Sequence, residues 1–243
     1  MKVIPVIDVL NGVAVHGKRG ERNQYKPLES SLFESTNPLV IASFFESLGF
    51  TSLYLADLDA ILGKAMNLNM YKQIVQTTNL DFMIDSAISD LSRAREVVAT
   101  KVSKIVIGSE TLLSLDFIKH AIEKFGENKV TISVDQKNGK LLSKSSLISS
   151  LDVFSFIEKL EALGVTKIIL LDLGLVGTEQ GIDLEHIQKI VENTEISVIV
   201  GGGIRSFAEL EQLKRIGVSG ALVATVLHDG TVSVNQLKSA GFL

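Results

Sequence analysis

Two aspartates stand in the same short pattern at distant points of the chain. Asp8 and Asp135 each precede an Asn-Gly dipeptide by two intervening residues, and the two patterns lie 127 residues apart. Facing carboxylates suit proton transfer, because one can be held protonated as an acid while the other, in a different environment, stays ionised as a base. We interpret Asp8 and Asp135 as candidate catalytic residues; the alternative is that they cap loops or helices.

A run of three glycines, Gly201-Gly202-Gly203, could bind an anion. It follows the apolar run 197–200, and Ser206 followed by Glu209 predicts a capping box that begins a helix. Glycines leave backbone N–H groups unobstructed, and these groups together with the positive end of a helix form a phosphate cradle. The alternative is a tight turn without a ligand.

The stretch 116 residues before the glycines reads Asp85-Ser86-Ala87 in a similar context, FMIDSAISDL against VIVGGGIRSF. A phosphate there would meet the Asp85 carboxylate, and like charges a few ångströms apart repel strongly. Ser86 and Ala87 also restrict the positive φ angles that glycine allows. We predict one anion site, in the second half of the chain, while Asp85 contacts another part of a substrate or serves structure only.

Eight short apolar runs alternate with amphipathic segments along the chain. The runs cover 3–7, 53–56, 82–84, 104–107, 130–134, 167–171, 197–200 and 221–224. Helical periodicity is clear in LVIASFFESLG, LSRAREVVAT, FIKHAIEKFG, VFSFIEKLEALG, LEHIQKIVEN and FAELEQLKRIG. Such alternation indicates a parallel sheet buried on both faces. Eight units in 243 residues predict an α/β fold, a closed (β/α)8 TIM barrel, rather than a doubly wound open sheet.

The chain also repeats itself at a nearly constant spacing. LGFTSLYLADLD matches LGVTKIILLDLG at an offset of 115, and KIVIGSETLL matches GALVATVLHD at an offset of 116. With the two patterns above, these matches predict one barrel domain over 1–243 that is built from two repeated half-barrels, about 1–126 and 127–243.

Barrel geometry gathers the polar candidates at one mouth, because chemistry in such barrels takes place at the carboxyl ends of the strands. Asp8 and Asp135 are expected to end strands one and five on opposite sides of that mouth. Asp57 and Asp172 are expected to end strands two and six, where we favour a capping role, although Asp172 could contact a substrate. Ser109, after strand four, is a further possible substrate contact.

Two more segments belong at the same mouth. Ala224 and Thr225, after strand eight, are expected to form the second wall of the phosphate cradle. The polar loop 17–37 fits a lid over the mouth, and KRGER inside it, at 18–22, is interpreted as a solvated loop.

Composition excludes several classes of function. The net charge is −4 and no Lys/Arg cluster forms a basic face, which argues against nucleic acid as a partner. There are no cysteines and no apolar run long enough for a membrane span, so we expect a soluble cytoplasmic protein. The four histidines are scattered, and the sequence predicts no metal centre and no cofactor. The expected partner is a small phosphorylated metabolite.

The residues VIPVIDVLNGVAV, LYLADLDA, SVDQKNGKL, VIVGGGIRSFAELEQL and ALVATVLHDG resemble the histidine-biosynthesis barrel family over nearly the whole chain. That family includes a ribotide isomerase and a cyclase. The resemblance implies an Amadori rearrangement, with Asp8 as the general base at the sugar carbon and Asp135 as an acid at the ring oxygen. It also implies that Gly202, Gly203, Ala224 and Thr225 hold one phosphate of a substrate that has two.

One turn departs from the family pattern. The Asp-Gly-Thr turn that the family carries after strand six is here Val176-Gly177-Thr178, so a carboxylate is missing while Gly177 and Thr178 stay candidate phosphate ligands. Three hypotheses follow: an aldose-ketose isomerase of a phosphorylated sugar or related metabolite, a lyase or cyclase on the same scaffold, and a binding protein without catalysis. Release of a fragment would favour the second, and tight binding of a monophosphate without turnover the third.

Overall fold

The computed structural model describes all 243 residues and shows a closed barrel of eight parallel strands. The strands are β1 (Lys2–Leu10), β2 (Ser52–Asp57), β3 (Asp81–Asp85), β4 (Lys104–Gly108), β5 (Val130–Lys137), β6 (Lys167–Asp172), β7 (Ser197–Gly201) and β8 (Gly220–Val223). Each pairs in parallel with the next, and β8 pairs with β1 from Lys2–Gly220 to Pro5–Val223. That closing pair confirms the predicted (β/α)8 barrel over the open sheet.

Eight helices surround the barrel, one after each strand. They are α1 (Pro38–Ser47), α2 (Leu68–Thr77), α3 (Leu91–Val98), α4 (Leu115–Phe125), α5 (Val153–Ala162), α6 (Leu184–Glu192), α7 (Phe207–Ile216) and α8 (Val234–Ser239). One-turn helices occur at Leu58–Ile61, Ser146–Ser149 and Thr225–His228. Even α4, with 11 residues, is too short to cross a membrane, and no other helix of the structure could do so.

The hydrophobic core has two parts because the side chains of each strand alternate between two faces. Fifty-three buried residues fill the layer between the sheet and the helices. Ten more form a cluster inside the barrel: Ile4, Val15, Tyr54, Ala56, Leu58, Met83, Val106, Ile169, Ile199 and Leu222. The barrel interior is therefore packed, and a cavity can open only at its mouth.

Strands β1 and β5 run past the two aspartates, so the prediction that Asp8 and Asp135 end their strands is wrong by two residues. β1 continues to Leu10 and turns into an antiparallel strand, Val13–His16; β5 continues likewise and pairs with Lys140–Leu141. Both turns are Asn-Gly turns with positive φ at each residue, 52° and 78° in the first and 53° and 71° in the second. Asn-Gly favours this hairpin geometry.

The two halves of the chain contribute four strands and four helices each. Gly126 lies between them, after α4, with a φ of 86° that glycine adopts without strain. Equivalent helices also begin alike: Asp90 caps α3 and Ser206, 116 residues later, caps α7 with its side chain. The offset found in the sequence is therefore reproduced in local structure.

Candidate active site

The carboxyl ends of the strands surround an open cavity. Most of the candidate residues line it: Asp8, Asp85, Asp135, Gly177, Gly202, Gly203, Ala224 and Thr225. It also receives side chains that were not predicted as site residues, among them Arg22, Tyr25, Tyr54 and Glu110. The structure thus brings carboxylates, one guanidinium and the glycine loop to one mouth.

Two of the candidates lie behind the cavity wall. Ser109 is fully buried, and its hydroxyl accepts the backbone N–H of Asp135 at 2.8 Å. Thr178 donates its hydroxyl to the carbonyl of Leu175 at 2.8 Å and so holds its own turn. Neither side chain lines the cavity, because each is used in local structure.

Asp172 and Gly201 also lie outside the main cavity. Both line a separate, smaller cavity, whose wall includes Gln136 and His186. Asp172 accepts the N–H of Gly174 at 2.9 Å, which agrees with a structural role in the loop after β6. A direct contact between Asp172 and a ligand in the main cavity is therefore not supported.

Asp57 is a capping residue, as favoured from the sequence. Its carboxylate is fully buried and accepts the N–H groups of Ala60 at 3.2 Å and Asn67 at 2.9 Å, together with the hydroxyl of Tyr71. These bonds begin the one-turn helix after β2 and tie down the segment leading into α2, so Asp57 is not available to a ligand.

Asp135 is held between its own strand and the turn after β4. Its Oδ1 accepts the Ser133 hydroxyl at 2.5 Å, and its Oδ2 accepts the N–H of Glu110 at 3.0 Å. Burial, followed by the charge of Asp85, raises the pKa of Asp135 to about 7, although these hydrogen bonds oppose the shift. Near neutral pH, Asp135 therefore keeps its proton in a large part of the molecules.

Asp8 faces the same cavity in a different environment. Burial raises the pKa of Asp8 to about 6, and the positive charge of Arg22 limits the rise. The backbone of Gly17 passes so close to the carboxylate that a side chain there would collide with Oδ2. Asp8 is therefore mostly ionised at neutral pH, and its pKa lies below that of Asp135.

The third carboxylate is Asp85, at the end of β3. It accepts the N–H of Ala87 at 3.2 Å through Oδ1 and the hydroxyl of Tyr54 at 3.4 Å through Oδ2. Burial raises the pKa of Asp85 to about 6. No three carboxylate or imidazole groups in the structure are arranged to hold a metal ion.

The loop 17–37, here called the lid, folds across the mouth as predicted from its length and polarity. Arg22 spans the opening and donates both terminal nitrogens to Glu110, at 2.6 and 3.0 Å. The interpretation of 18–22 as a merely solvated loop is wrong for Arg22, because that guanidinium faces the cavity. The backbone of Arg19 makes two more contacts: its N–H donates to the carbonyl of Val176 at 2.8 Å, and its carbonyl accepts the Lys137 ammonium at 3.2 Å.

The far end of the lid is anchored on the one-turn helix Thr225–His228. Ser31 donates its N–H to the carbonyl of His228 at 2.6 Å, and the Ser30 hydroxyl lies 3.1 Å from its ring nitrogen Nδ1. The ring of Phe33 packs edge-on against the same imidazole. Burial lowers the pKa of His228 to about 4, so this anchor is neutral at physiological pH.

The loop after β7 has the backbone that a phosphate cradle needs. Gly202 and Gly203 have φ angles of 89° and 86°, and a Cβ at Gly203 would lie only 2.8 Å from the Cβ of Leu175. The N–H groups of both glycines, and that of Ala224, donate to no backbone carbonyl. These three donors are free to bind an anion at the cavity wall.

The predicted capping box after this loop forms only in part. Ser206 accepts the N–H of Glu209 at 3.3 Å, as expected. The Glu209 carboxylate, however, accepts the N–H of Arg205 at 2.9 Å and pairs with the guanidinium of that residue. The helix α7 is nevertheless capped, and its first turn stays behind the glycine loop.

Fold and site together define a (β/α)8 barrel with a polar cavity at the carboxyl ends of its strands. A sequence profile for the family described as histidine biosynthesis protein matches residues 2–233, and the chain belongs to that family. It is also similar to an uncharacterised protein of Methanocaldococcus jannaschii, with 33% identity over 98% of this chain and 97% of the relative.

Relatives with a named activity have a similar sequence identity to this chain. A protein of Streptococcus thermophilus is 31% identical over 99% of this chain and all of the relative, and one of Streptococcus sanguinis is 30% identical over 99% and 98%. Both are named 1-(5-phosphoribosyl)-5-((5-phosphoribosylamino)methylideneamino)imidazole-4-carboxamide isomerase. Their substrate name contains two phosphoribosyl groups.

Proposed function

We propose that the protein is an isomerase that converts a phosphorylated aldose, or a related small metabolite, into the ketose form by an Amadori-type proton transfer. The observation that carries the proposal is the placement of Asp8 and Asp135 in one cavity with different pKa values, about 6 and about 7. The isomerase names of the relatives support the same class of reaction.

The two carboxyl groups divide the proton chemistry between them. Asp8, mostly ionised at neutral pH, is the base that removes a proton from the sugar carbon next to the carbonyl equivalent. Asp135, with the higher pKa, is the acid that donates its proton to the ring oxygen as the ring opens. Hydrogen bonds from Ser133 and Glu110 fix the Asp135 carboxyl in place, so no reorientation precedes the transfer.

The phosphate positions the sugar. In this proposal the free N–H groups of Gly202, Gly203 and Ala224, with Thr225, bind one phosphate on the wall formed by β7 and β8. Gly177, which the lid contacts, completes that wall without a side chain. The protein would act on its metabolite in the cytoplasm and needs no cofactor for this step.

The test is isomerisation by the purified protein, offered the substrate named for the streptococcal relatives and a panel of aldose 5-phosphates. We expect turnover of at least one of them and a loss of about 1000-fold or more in Asp8→Asn, since the general base is removed. Asp81→Asn is the matched control: it removes a carboxylate paired with Lys104 at the opposite end of the barrel and should leave the rate unchanged.

Other results would contradict the proposal in informative ways. Tight binding of a monophosphate with no turnover of any compound would favour a binding protein. Release of a fragment from the substrate would favour a lyase. An isomerase activity that survives both Asp8→Asn and Asp135→Asn would remove the assignment of acid and base.

A further inference from the structure

The loop after β3 and the loop after β7 are equivalent segments with different contents. At the shared offset of 116 residues, Asp85 corresponds to Gly201 and Ala87 to Gly203. Ala87 has a φ of 53°, close to the left-handed conformation of Gly203 at 86°. The first-half loop thus keeps the left-handed turn at Ala87, even though alanine adopts that conformation at a cost, but not the positive φ that Gly202 has at the position of Ser86.

In the first-half loop, the backbone N–H that could bind an anion already has an acceptor within the protein. The N–H of Ala87 donates to the Asp85 carboxylate at 3.2 Å, whereas the equivalent N–H of Gly203 donates to no backbone carbonyl. On the opposite side of the loop, Arg93 donates to the carbonyls of Ser86 at 2.9 Å and Ala87 at 3.1 Å. A negative group of the protein itself therefore sits where an external anion would bind, and the loop is fixed around it.

The surroundings of that place repel a second anion as well. A Cβ at Gly108, the counterpart of Ala224, would lie 3.1 Å from Asp135 Oδ2 and 3.5 Å from Asp85 Oδ2, so both carboxylates flank it. The one cation facing this part of the cavity is Arg22, and Glu110 takes both of its terminal nitrogens. No cation without a carboxylate partner is left there to bind a second phosphate.

We propose that the substrate of this protein carries a single phosphate, bound by the second half of the barrel, and that the Asp85 carboxylate excludes a second phosphate from the first half. The end of the substrate beside Asp85 is then an uncharged or cationic group, such as a hydroxyl or an amine. This inference rests on the proposed function, and it separates the chain from relatives whose named substrate has two phosphoribosyl groups.

The first test counts bound phosphate in crystals soaked with inorganic phosphate and by titration calorimetry. We expect one phosphate in the wild type, at Gly202 to Thr225, and two in Asp85→Gly, the second beside Ala87. The matched control is Asp90→Asn, which removes a carboxylate from the same loop but outside the cavity and keeps the helix cap; it should bind one. A single phosphate in Asp85→Gly would overturn the role assigned to Asp85.

The second test needs no variant and so stands if Asp85→Gly does not fold. It compares the affinity of the wild type for ribose 5-phosphate and ribose 1,5-bisphosphate. We expect the bisphosphate to bind no more tightly than the monophosphate, because its second charge meets the Asp85 carboxylate. A bisphosphate that binds about 100-fold more tightly would overturn the inference.

The two proposals fail in different ways. A second phosphate bound beside Ala87 in the wild type, with Arg22 turned away from Glu110 towards it, would overturn the single-phosphate inference and leave the isomerase proposal intact. An empty glycine loop at saturating phosphate would instead remove the phosphate site on which both proposals depend.

Discussion

Burial and the charge of Asp85 raise the pKa of Asp135, and hydrogen bonds from Ser133 and Glu110 partly oppose that rise. Asp8 has the same side chain but faces Arg22, and its pKa settles at about 6 rather than about 7. The mechanism proposed above needs Asp8 ionised and Asp135 protonated. We predict a bell-shaped pH profile of kcat/KM, with an acidic limb near pH 6 from Asp8 and a basic limb near pH 7 from Asp135. In Asp8→Asn, the low residual rate should have no acidic limb.

Burial of Asp135 also has a cost in stability that depends on pH. A carboxyl group whose pKa is raised on folding binds its proton more tightly in the folded chain, so the free energy of unfolding falls as the pH rises from about 4 to about 7. Asp135→Asn keeps the shape and removes the charge. We predict that it stabilises the protein by about 2–4 kcal/mol at pH 8 and by almost nothing at pH 4, measured by urea unfolding.

A variant that is destabilised at pH 8 would contradict this expectation and would show that the bonds to Ser133 and Glu110 outweigh the buried charge. Ser133→Ala is the control for those bonds, since it removes the hydroxyl donor and leaves the carboxyl in place. Its effect should be of the opposite sign at pH 8.

Single residues differed in how well the sequence revealed them. Asp8 and Asp135 could be found because each sits in a pattern that the chain repeats, which distinguishes them from other carboxylates. Arg22 could not, because a charged residue in a mixed-charge loop has no local feature that distinguishes a solvated side chain from one turned into a cavity. Glu110 was missed for the same reason: its function depends on Arg22, which is 88 positions away.

Among the elements, the lid is held over the mouth by the Arg22–Glu110 ion pair together with the backbone contacts of Arg19 and Ser31. Arg22 and Glu110 are partly buried and joined by two hydrogen bonds. We predict that Glu110→Gln raises the open population of the lid about fivefold, seen as faster tryptic cleavage after Lys18 or Arg19. Glu185→Gln breaks the exposed pair with Lys189 and should change nothing. Equal cleavage in both variants would mean that other contacts hold the lid.

Six of the eight helices could be predicted from the sequence, and α2 and α8 show why the other two could not. α2 buries only Tyr71 and Ile74, so its apolar stripe is too sparse to show a period, and α8 has only six residues. The hairpins after Asp8 and Asp135 carried a clear Asn-Gly signal, but an expectation of simple strand-loop-helix units concealed it. Strand positions were easier, because buried parallel strands are continuous apolar runs.

At the scale of the whole molecule, the barrel can be divided at Gly126 without cutting a strand or a helix. The two halves meet through the pairs β8–β1 and β4–β5. We predict that fragments 1–126 and 127–243, expressed together, purify as a one-to-one complex with the far-ultraviolet spectrum of the intact chain. Either half alone exposes two strand edges and should aggregate. Soluble, separately folded halves would contradict the prediction of one closed barrel domain.

The overall fold could be predicted because it repeats one simple unit, and eight repetitions of a pattern outweigh errors in any single element. The arrangement of the mouth could not, because it is set by contacts between loops that are far apart in sequence. Arg19 meets Val176 and Lys137, and nothing in the residues around any of the three indicates the other two.

The one-turn helix Thr225–His228 touches the phosphate wall with its first residue and the anchor of the lid with its last. A phosphate bound as proposed would therefore contact the same short helix to which the lid is anchored. A sugar without the phosphate could reach Asp8 and Asp135, but it would make no contact with this helix and would not help to keep the lid closed. Removing this distant, unreactive group should then slow the turnover of bound sugar as well as weaken its binding.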